Sequence, residues 1–179
     1  MKKKTLLLMM LLGFITTFTF AQEKEFFSTV DDTENYSALE LAQNDDQFSI
    51  FLSFLEASGL DTSMEYADGF TIFIPTNDAF GEMKVSKLSE LTSAENKTKL
   101  IDFVKHYIVP EKVYKNQFND SQVIAISEDE SIKINTDMNG NSVSIGGANI
   151  ISSDIETKNG VVHVVDQLLT TTDYFSSSY

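Results

Sequence analysis

The 179-residue chain contains no cysteine and only two prolines, and all 13 of its basic residues are lysine. Without thiols there can be no disulfide framework, no thiol nucleophile, no cysteine-rich zinc site and no iron–sulfur ligation, so stability has to come from a packed core. Without arginine the chain lacks the planar fork that grips phosphate in two places. Its 27 acidic residues outnumber the lysines about two to one, so its net field repels polyanions and nucleic acid is excluded as a partner. Several catalytic signatures are also missing: there is no G-x-S-x-G elbow, no H-E-x-x-H pair, no phosphate-binding G-x-x-x-x-G-K-[ST] loop and no G-x-G-x-x-G turn. Two histidines, His106 and His163, are the whole supply of imidazole.

No apolar run is long enough for a spanning helix, which needs about 20 residues. The run from Leu6 to Phe20 instead follows Lys2, Lys3 and Lys4 and ends in Thr19-Phe20-Ala21, the basic, apolar and small-residue order of a secretory signal peptide. Residues 1–21 are read as that peptide. Cleavage near Ala21 would send the rest to the periplasm, the cell surface or the medium, with no membrane span in the mature chain. It would leave 10 lysines against 27 carboxylates, a net charge of −17. No cysteine stands at the cleavage point to receive lipid. Such acidity suits solubility, and attraction of divalent cations or a basic partner is the sharper alternative.

Residues 22–32 read as a flexible lead-in whose Phe26-Phe27 pair could dock on the domain. A single folded unit is expected over 33–172, followed by a polar tail at 173–179. Its anchor is Thr71 to Phe80, T-I-F-I-P-T-N-D-A-F. Phe70, Ile72 and Ile74 point to one face of a strand and Thr71 and Phe73 to the other, so neither face suits water and the strand belongs inside a sheet. Pro75 ends it, and Thr76, Asn77 and Asp78 are turn and cap formers that would start a helix.

Ahead of the anchor, a helix from Thr33 would bury Tyr36, Leu39 and Ala42. A second, capped by Asp45 or Asp46, would bury Phe48, Phe51, Leu52 and Leu55 and stop at Gly59. Asp61 to Gly69 reads as a polar connection. After the anchor, Met83, Val85, Leu88 and Leu91 lie on a short irregular helix. Thr92 with Glu95 suggests a capping box for the next one, whose Leu100, Phe103, Val104 and Tyr107 face inward and which Pro110 closes. From there the period changes from 3.6 to 2. Short strands are expected at 123–126, 131–134, 142–145, 148–151 and 161–165, with Asn139-Gly140 as a hairpin turn. Helices first and strands later make the fold class α+β, with helices on one side of a mostly antiparallel sheet.

Two separated segments resemble the signature motifs of the fasciclin-type adhesion domain. Thr71 to Phe80 is similar to the first, and Asn159-Gly160-Val161-Val162-His163-Val164-Val165-Asp166 with Leu168-Leu169 to the second. Between them, His106-Tyr107-Ile108-Val109-Pro110 and Asp154-Ile155 follow the family's order. Three departures stand out: the order His106-Tyr107 is reversed, Glu111 replaces a glycine, and no proline follows the leucine pair. The resemblance implies a fasciclin-like β wedge or sandwich with an attached layer of helices, exported, non-enzymatic and without cofactor or metal. As motif residues with mainly structural duties it marks Thr71, Phe73, Pro75, Thr76, Asn77, Asp78, Phe80, Tyr107, Pro110, Asn159, Gly160, His163 and Asp166. In animal members an Asp-Ile pair in this region is associated with integrin-dependent adhesion, which makes Asp154 and Ile155 a possible adhesion contact. The simpler reading has Ile155 filling the core and Asp154 capping a turn.

By its place on the strand, His163 points into an apolar layer with its hydrogen bonds met internally, and His106 sits where a helix dipole favours a cation. Asp31-Asp32, Asp45-Asp46 and Glu128-Asp129-Glu130 read as solvated loops, with calcium as the functional alternative. The expected function is an exported adhesion or matrix-interaction module, a monomer, meeting an unknown cell-surface or matrix protein or polysaccharide. The alternatives are a carrier of a small apolar ligand between helices and sheet, and a carboxylate-dependent hydrolase of the cell envelope. Because Phe73 is expected at the centre of the core, Phe73→Ala should cost about 3 to 5 kcal/mol in urea denaturation. A loss below about 1 kcal/mol would mean that its strand is not central.

Overall fold

A computed structural model describes residues 25–126, 130–137 and 142–171. The leader, the Asn139-Gly140 turn and the tail at 173–179 lie outside the described residues. Seven strands occur among them, in chain order β1 Phe70–Pro75, β2 Ile108–Val109, β3 Val123–Ala125, β4 Ser131–Thr136, β5 Val143–Ile145, β6 Ala148–Glu156 and β7 Gly160–Val165. They form one curled sheet in the order β2-β1-β7-β6-β5-β4-β3. The fold is α+β, as the sequence implies.

All six residues of β1 and all six of β7 are buried, which is what continuous apolar runs require. The two strands pair in parallel, Phe70 opposite Gly160 through Pro75 opposite Val165, while every other pairing is antiparallel. The two motifs, far apart in sequence, thus lie side by side inside the sheet. β6 is longer than the strand expected at 148–151 and absorbs Asp154 and Ile155. Against β7 it carries two register shifts, one between Ile150 and Ser152 and one between Ser152 and Ile155. Bulges of this kind bend a strand and curl the sheet.

The helices are α1 Ala38–Gln43, α2 Ser49–Ser58, α3 Asp61–Tyr66, α4 Val85–Thr92 and α5 Lys97–Lys105. None of the described helices is long and apolar enough to cross a membrane. α2 ends at Gly59, in the left-handed conformation (φ 79°). Its buried face is Phe51, Phe54, Leu55 and Ser58, with Leu52 only half-buried. Rings interlock beneath this layer: Phe54 meets Phe80 edge-on at 5.5 Å and Phe103 at 5.8 Å, and Tyr107 lies 5.0 Å from Phe51.

Several local expectations are corrected. Tyr36 is exposed and lies before α1, because Ser37 and Glu40 form the capping box that starts that helix one residue later. The polar stretch after Asp61 contains α3, whose six residues bury only Met64 and so leave little periodic signal. Val85, Leu88 and Leu91 lie on α4 as expected, with Val85 81% exposed, while Met83 precedes that helix. No capping box forms at Thr92, whose hydroxyl instead donates back to the Leu88 carbonyl of its own helix (2.9 Å), and α5 begins at Lys97 after a 3-10 turn over Ala94–Asn96. α5 ends at Lys105, so Pro110 closes β2 and not the helix. Within the lead-in the Phe26-Phe27 pair does dock on the domain: Phe27 is buried and stacks on Phe48 at 5.2 Å, with Phe26 5.6 Å from the same ring.

Gly160 stands opposite Phe70, where β7 leaves no room for a side chain. A Cβ there would lie 2.7 Å from the Phe70 carbonyl oxygen and 3.3 Å from its ring. Gly160→Ala should therefore cost about 1 to 3 kcal/mol by overpacking, seen as a lowered urea midpoint, although its φ is ordinary.

Candidate interaction surface

Each motif carries an asparagine beside its strand, and each of these side chains reaches across the fold. Asn77, just past the end of β1, accepts the Ile50 N–H of α2 at 3.0 Å and donates to the Asp46 carbonyl at 2.8 Å and to the Ser49 hydroxyl at 3.0 Å. It caps the start of α2 from a distance. The chain does turn from β1 into a 3-10 helix over Asn77–Glu82, as these residues imply, but Thr76 at its start makes no side-chain cap. Its backbone N–H donates to the Val165 carbonyl at 3.2 Å. Asn159, just before β7, accepts the Ala38 N–H at the start of α1 at 2.9 Å and donates to the Met64 carbonyl of α3 at 3.1 Å. Asp166, at the far end of β7, accepts both the backbone and side-chain amides of Asn149, at 2.7 and 2.8 Å. Asp78 is exposed beside Asn77, and Phe80 is buried against Phe54.

One face of β1 is covered by the loop after β2. The Thr71 hydroxyl donates to the Glu111 carbonyl at 2.7 Å and accepts the Val113 N–H at 2.8 Å. Pro110 and Glu111 are exposed at the head of that loop. Two residues along β1, the Phe73 ring stacks on His163 at 5.3 Å, and Phe118 tilts against both. His163 is fully buried. Its Nε2–H donates to the Val113 carbonyl at 2.9 Å and its Nδ1 accepts the Asp154 N–H at 3.2 Å, a pattern that fixes the tautomer. Burial pushes its pKa below the ordinary 6.5, against an opposing pull from the Val113 carbonyl and Asp154.

Asp154 is exposed at the second shift of β6, not in a turn, and has a left-handed backbone (φ 59°). Its Oδ1 accepts the Lys115 N–H at 2.6 Å. Ile155 is half-buried against the core, so of this pair only the carboxylate projects. Beside it, partial burial and then the charge of Glu156 raise the Tyr114 phenol. The loop's part in this patch left no mark in the sequence, because Lys115 and Asp154 meet only through the sheet. Tyr107 is buried: its carbonyl accepts the Phe73 N–H at 2.8 Å and its hydroxyl accepts the Leu169 N–H at 3.1 Å. His106 lies apart, its Nε2 2.7 Å from the Glu130 carboxylate.

Several of the acidic residues serve backbone. Asp45 caps the turn at Asp46–Phe48 through Gln47 and also accepts the Phe27 N–H at 3.3 Å, while Asp32 accepts from Glu34. An open cleft of about 390 Å³ on the helical layer is lined by Leu39, Leu52 and Leu55 with Asp45, Asp46, Glu56 and Asp61 among others. Among the described residues, no group of three acidic, histidine or cysteine side chains is arranged to hold a metal ion. Residues Glu128 and Asp129 lie outside the described residues.

Residues 46–171 match the family profile described as the Fasciclin domain. The chain is 29% identical to Protein sll1483 of Synechocystis sp. over 73% of this chain and 71% of that protein. It is 31% identical to human periostin over 73% of this chain but only 15% of periostin, and 25% identical to the immunogenic protein MPB70 of Mycobacterium bovis over 56% of this chain and 49% of that one. In structure it resembles a FAS1 domain pair from the insect cell adhesion molecule fasciclin I, with a TM-score of 0.55 and 16% identity over 76% of this chain and 51% of that one. At that identity the likeness establishes the fold alone.

Removing the Asn159 amide would leave the Ala38 N–H and the Met64 carbonyl unmet in a buried place. Asn159→Ala should cost about 2 to 4 kcal/mol, against about 1 to 2 for the half-exposed Asn77→Ala, compared by urea unfolding.

Proposed function

The chain belongs to the fasciclin domain family, and on that premise we propose that it is an exported, non-enzymatic adhesion module. The observation that carries this reading is the structural employment of the polar residues in the two motifs. Thr71, Asn77, Asn159, His163 and Asp166 each spend their hydrogen bonds on holding segments of the chain together. A catalytic centre needs such groups aimed at a substrate. The basic, apolar, small-residue order of residues 1–21 supports the export part of the same reading.

The partner is a cell-surface or matrix protein or a polysaccharide, and the contact we favour is the patch where Asp154 and Glu156 are exposed beside the half-buried Tyr114 and Lys115. Its carboxylates suit a partner that offers cations or hydroxyls. Packing argues against the carrier alternative, because Phe51, Phe54, Phe80, Phe103 and Tyr107 fill the space between helices and sheet. The mature chain, residues 22–179, is expected to act as a monomer.

The test is a binding screen of that mature chain on intact bacterial cells, surface polysaccharides and matrix proteins, run beside an esterase and glycosidase panel. Saturable binding, weakened about threefold or more by Asp154→Ala, with no turnover, is the expected outcome. Saturable turnover with no binding would overturn the reading.

A further inference from the structure

Three segments that are far apart in sequence meet on one imidazole. The second register shift frees the Asp154 N–H from the β6–β7 ladder, and that N–H donates to Nδ1 of His163 at 3.2 Å. On the other side of the ring, Nε2–H donates to the Val113 carbonyl at 2.9 Å. The Asp154 carboxylate closes the circuit by accepting the Lys115 N–H at 2.6 Å. β7, the bulge of β6 and the loop after β2 are thus joined through His163. Asp154 has a left-handed backbone, a region that disfavours residues bearing side chains, at the centre of this circuit.

The surroundings give a second proton no place. β1 presents the Phe73 ring, stacked flat on the imidazole, and Phe118 covers another side. On β7 itself the neighbours are Val162 and Val164. Two charged groups face the ring, Asp154 from β6 and Lys115 from the loop, and their signs oppose each other. Tyr114 stands beyond Asp154, turned toward Glu156.

We propose that His163 is an acid-operated latch: a proton taken onto Nδ1 removes the acceptor of the Asp154 N–H, and the β6 bulge and Val113–Lys115 open together while the helical layer stays folded. The closed form excludes the proton, and its pKa is depressed mainly by burial. The opened ring returns toward the ordinary 6.5. The latch therefore contributes its full stability above that value and loses it progressively as pH falls toward the lower value of the closed form. Asp154 is the carboxylate of the favoured contact patch, so adhesion would be released in acid. That consequence rests on the proposed function, whereas the opening itself can be measured without any partner.

The experiment is hydrogen–deuterium exchange on the mature chain at about pH 7 and about pH 5, with labelling times scaled for intrinsic exchange. Peptides covering 111–118 and 150–156 should lose about tenfold or more of their protection at the lower pH while those of α2 keep theirs. His163→Gln, whose amide can still accept and donate, should abolish the pH response, and His106→Gln should leave it intact. If His163→Gln does not fold, nitrogen NMR of the wild-type imidazole replaces it. The ring should then carry its proton on Nε2 at neutral pH, and the Asp154 amide should titrate with it. Protection that ignores pH, a response that survives in His163→Gln, loss spread equally to α2, or a ring and amide that titrate apart would each overturn the latch.

Discussion

The parallel pairing of β1 with β7 is the constraint on which the rest of the structure depends. Antiparallel neighbours can be joined by a tight turn, whereas these two strands run the same way and need the whole intervening chain as a crossover. Every residue of both strands is buried, so both faces of the pair have to be covered by something the crossover or the preceding chain supplies. The helical layer covers one face and the loop after β2 covers the other. Gly160 permits the backbone approach that this pairing demands, since any Cβ would strike the Phe70 carbonyl.

Because the strands are parallel, the two motif asparagines fall at opposite ends of the pair. Asn77 leaves the end of β1 and holds the start of α2, while Asn159 precedes β7 and holds the start of α1 and the end of α3. α1 and α3 have six residues each, far below the length at which an isolated helix persists in water. Their ends are completed by side chains from the sheet, and their apolar faces by the aromatic cluster. α1 and α3 therefore have no stability to speak of apart from the sheet, and each amide meets backbone groups that would otherwise be buried without partners.

The same economy governs the polar chemistry. His163 is held in one tautomer between two backbone groups, Thr71 bridges a carbonyl and an amide, and Asp45 and Asp166 each satisfy two amides. What remains for a partner is the outside of the fold: the carboxylates of a strongly acidic surface, and the patch where Asp154 emerges beside Tyr114 and Lys115. An adhesion module needs a rigid frame with chemistry left on its rim, and this distribution matches that need. It also ties the rim to the interior at one point, through His163.

Some of this was determined by the sequence alone. The buried character of Thr71 to Pro75, the stop at Gly59, the alternation through β4 and β5 and the α+β order follow from local periodicity and from residues with special backbone freedom, and these act within a few positions. The two motifs likewise identified the family before any geometry was at hand. The helix expected from Thr33 passed over the capping box of Ser37 and Glu40, and the similar pattern at Thr92 misled, because a hydroxyl can serve its own helix as well as the next. Only the tertiary structure decided the rest. That Asn77 caps α2 and not its own turn, that α3 exists, that Phe27 belongs to the core and that Asp154 sits in a bulge bound to His163 all depend on partners many residues away. Local sequence sets which hydrogen-bonding groups a segment has left over, and only the packed fold determines which distant group comes within 3 Å to take them up.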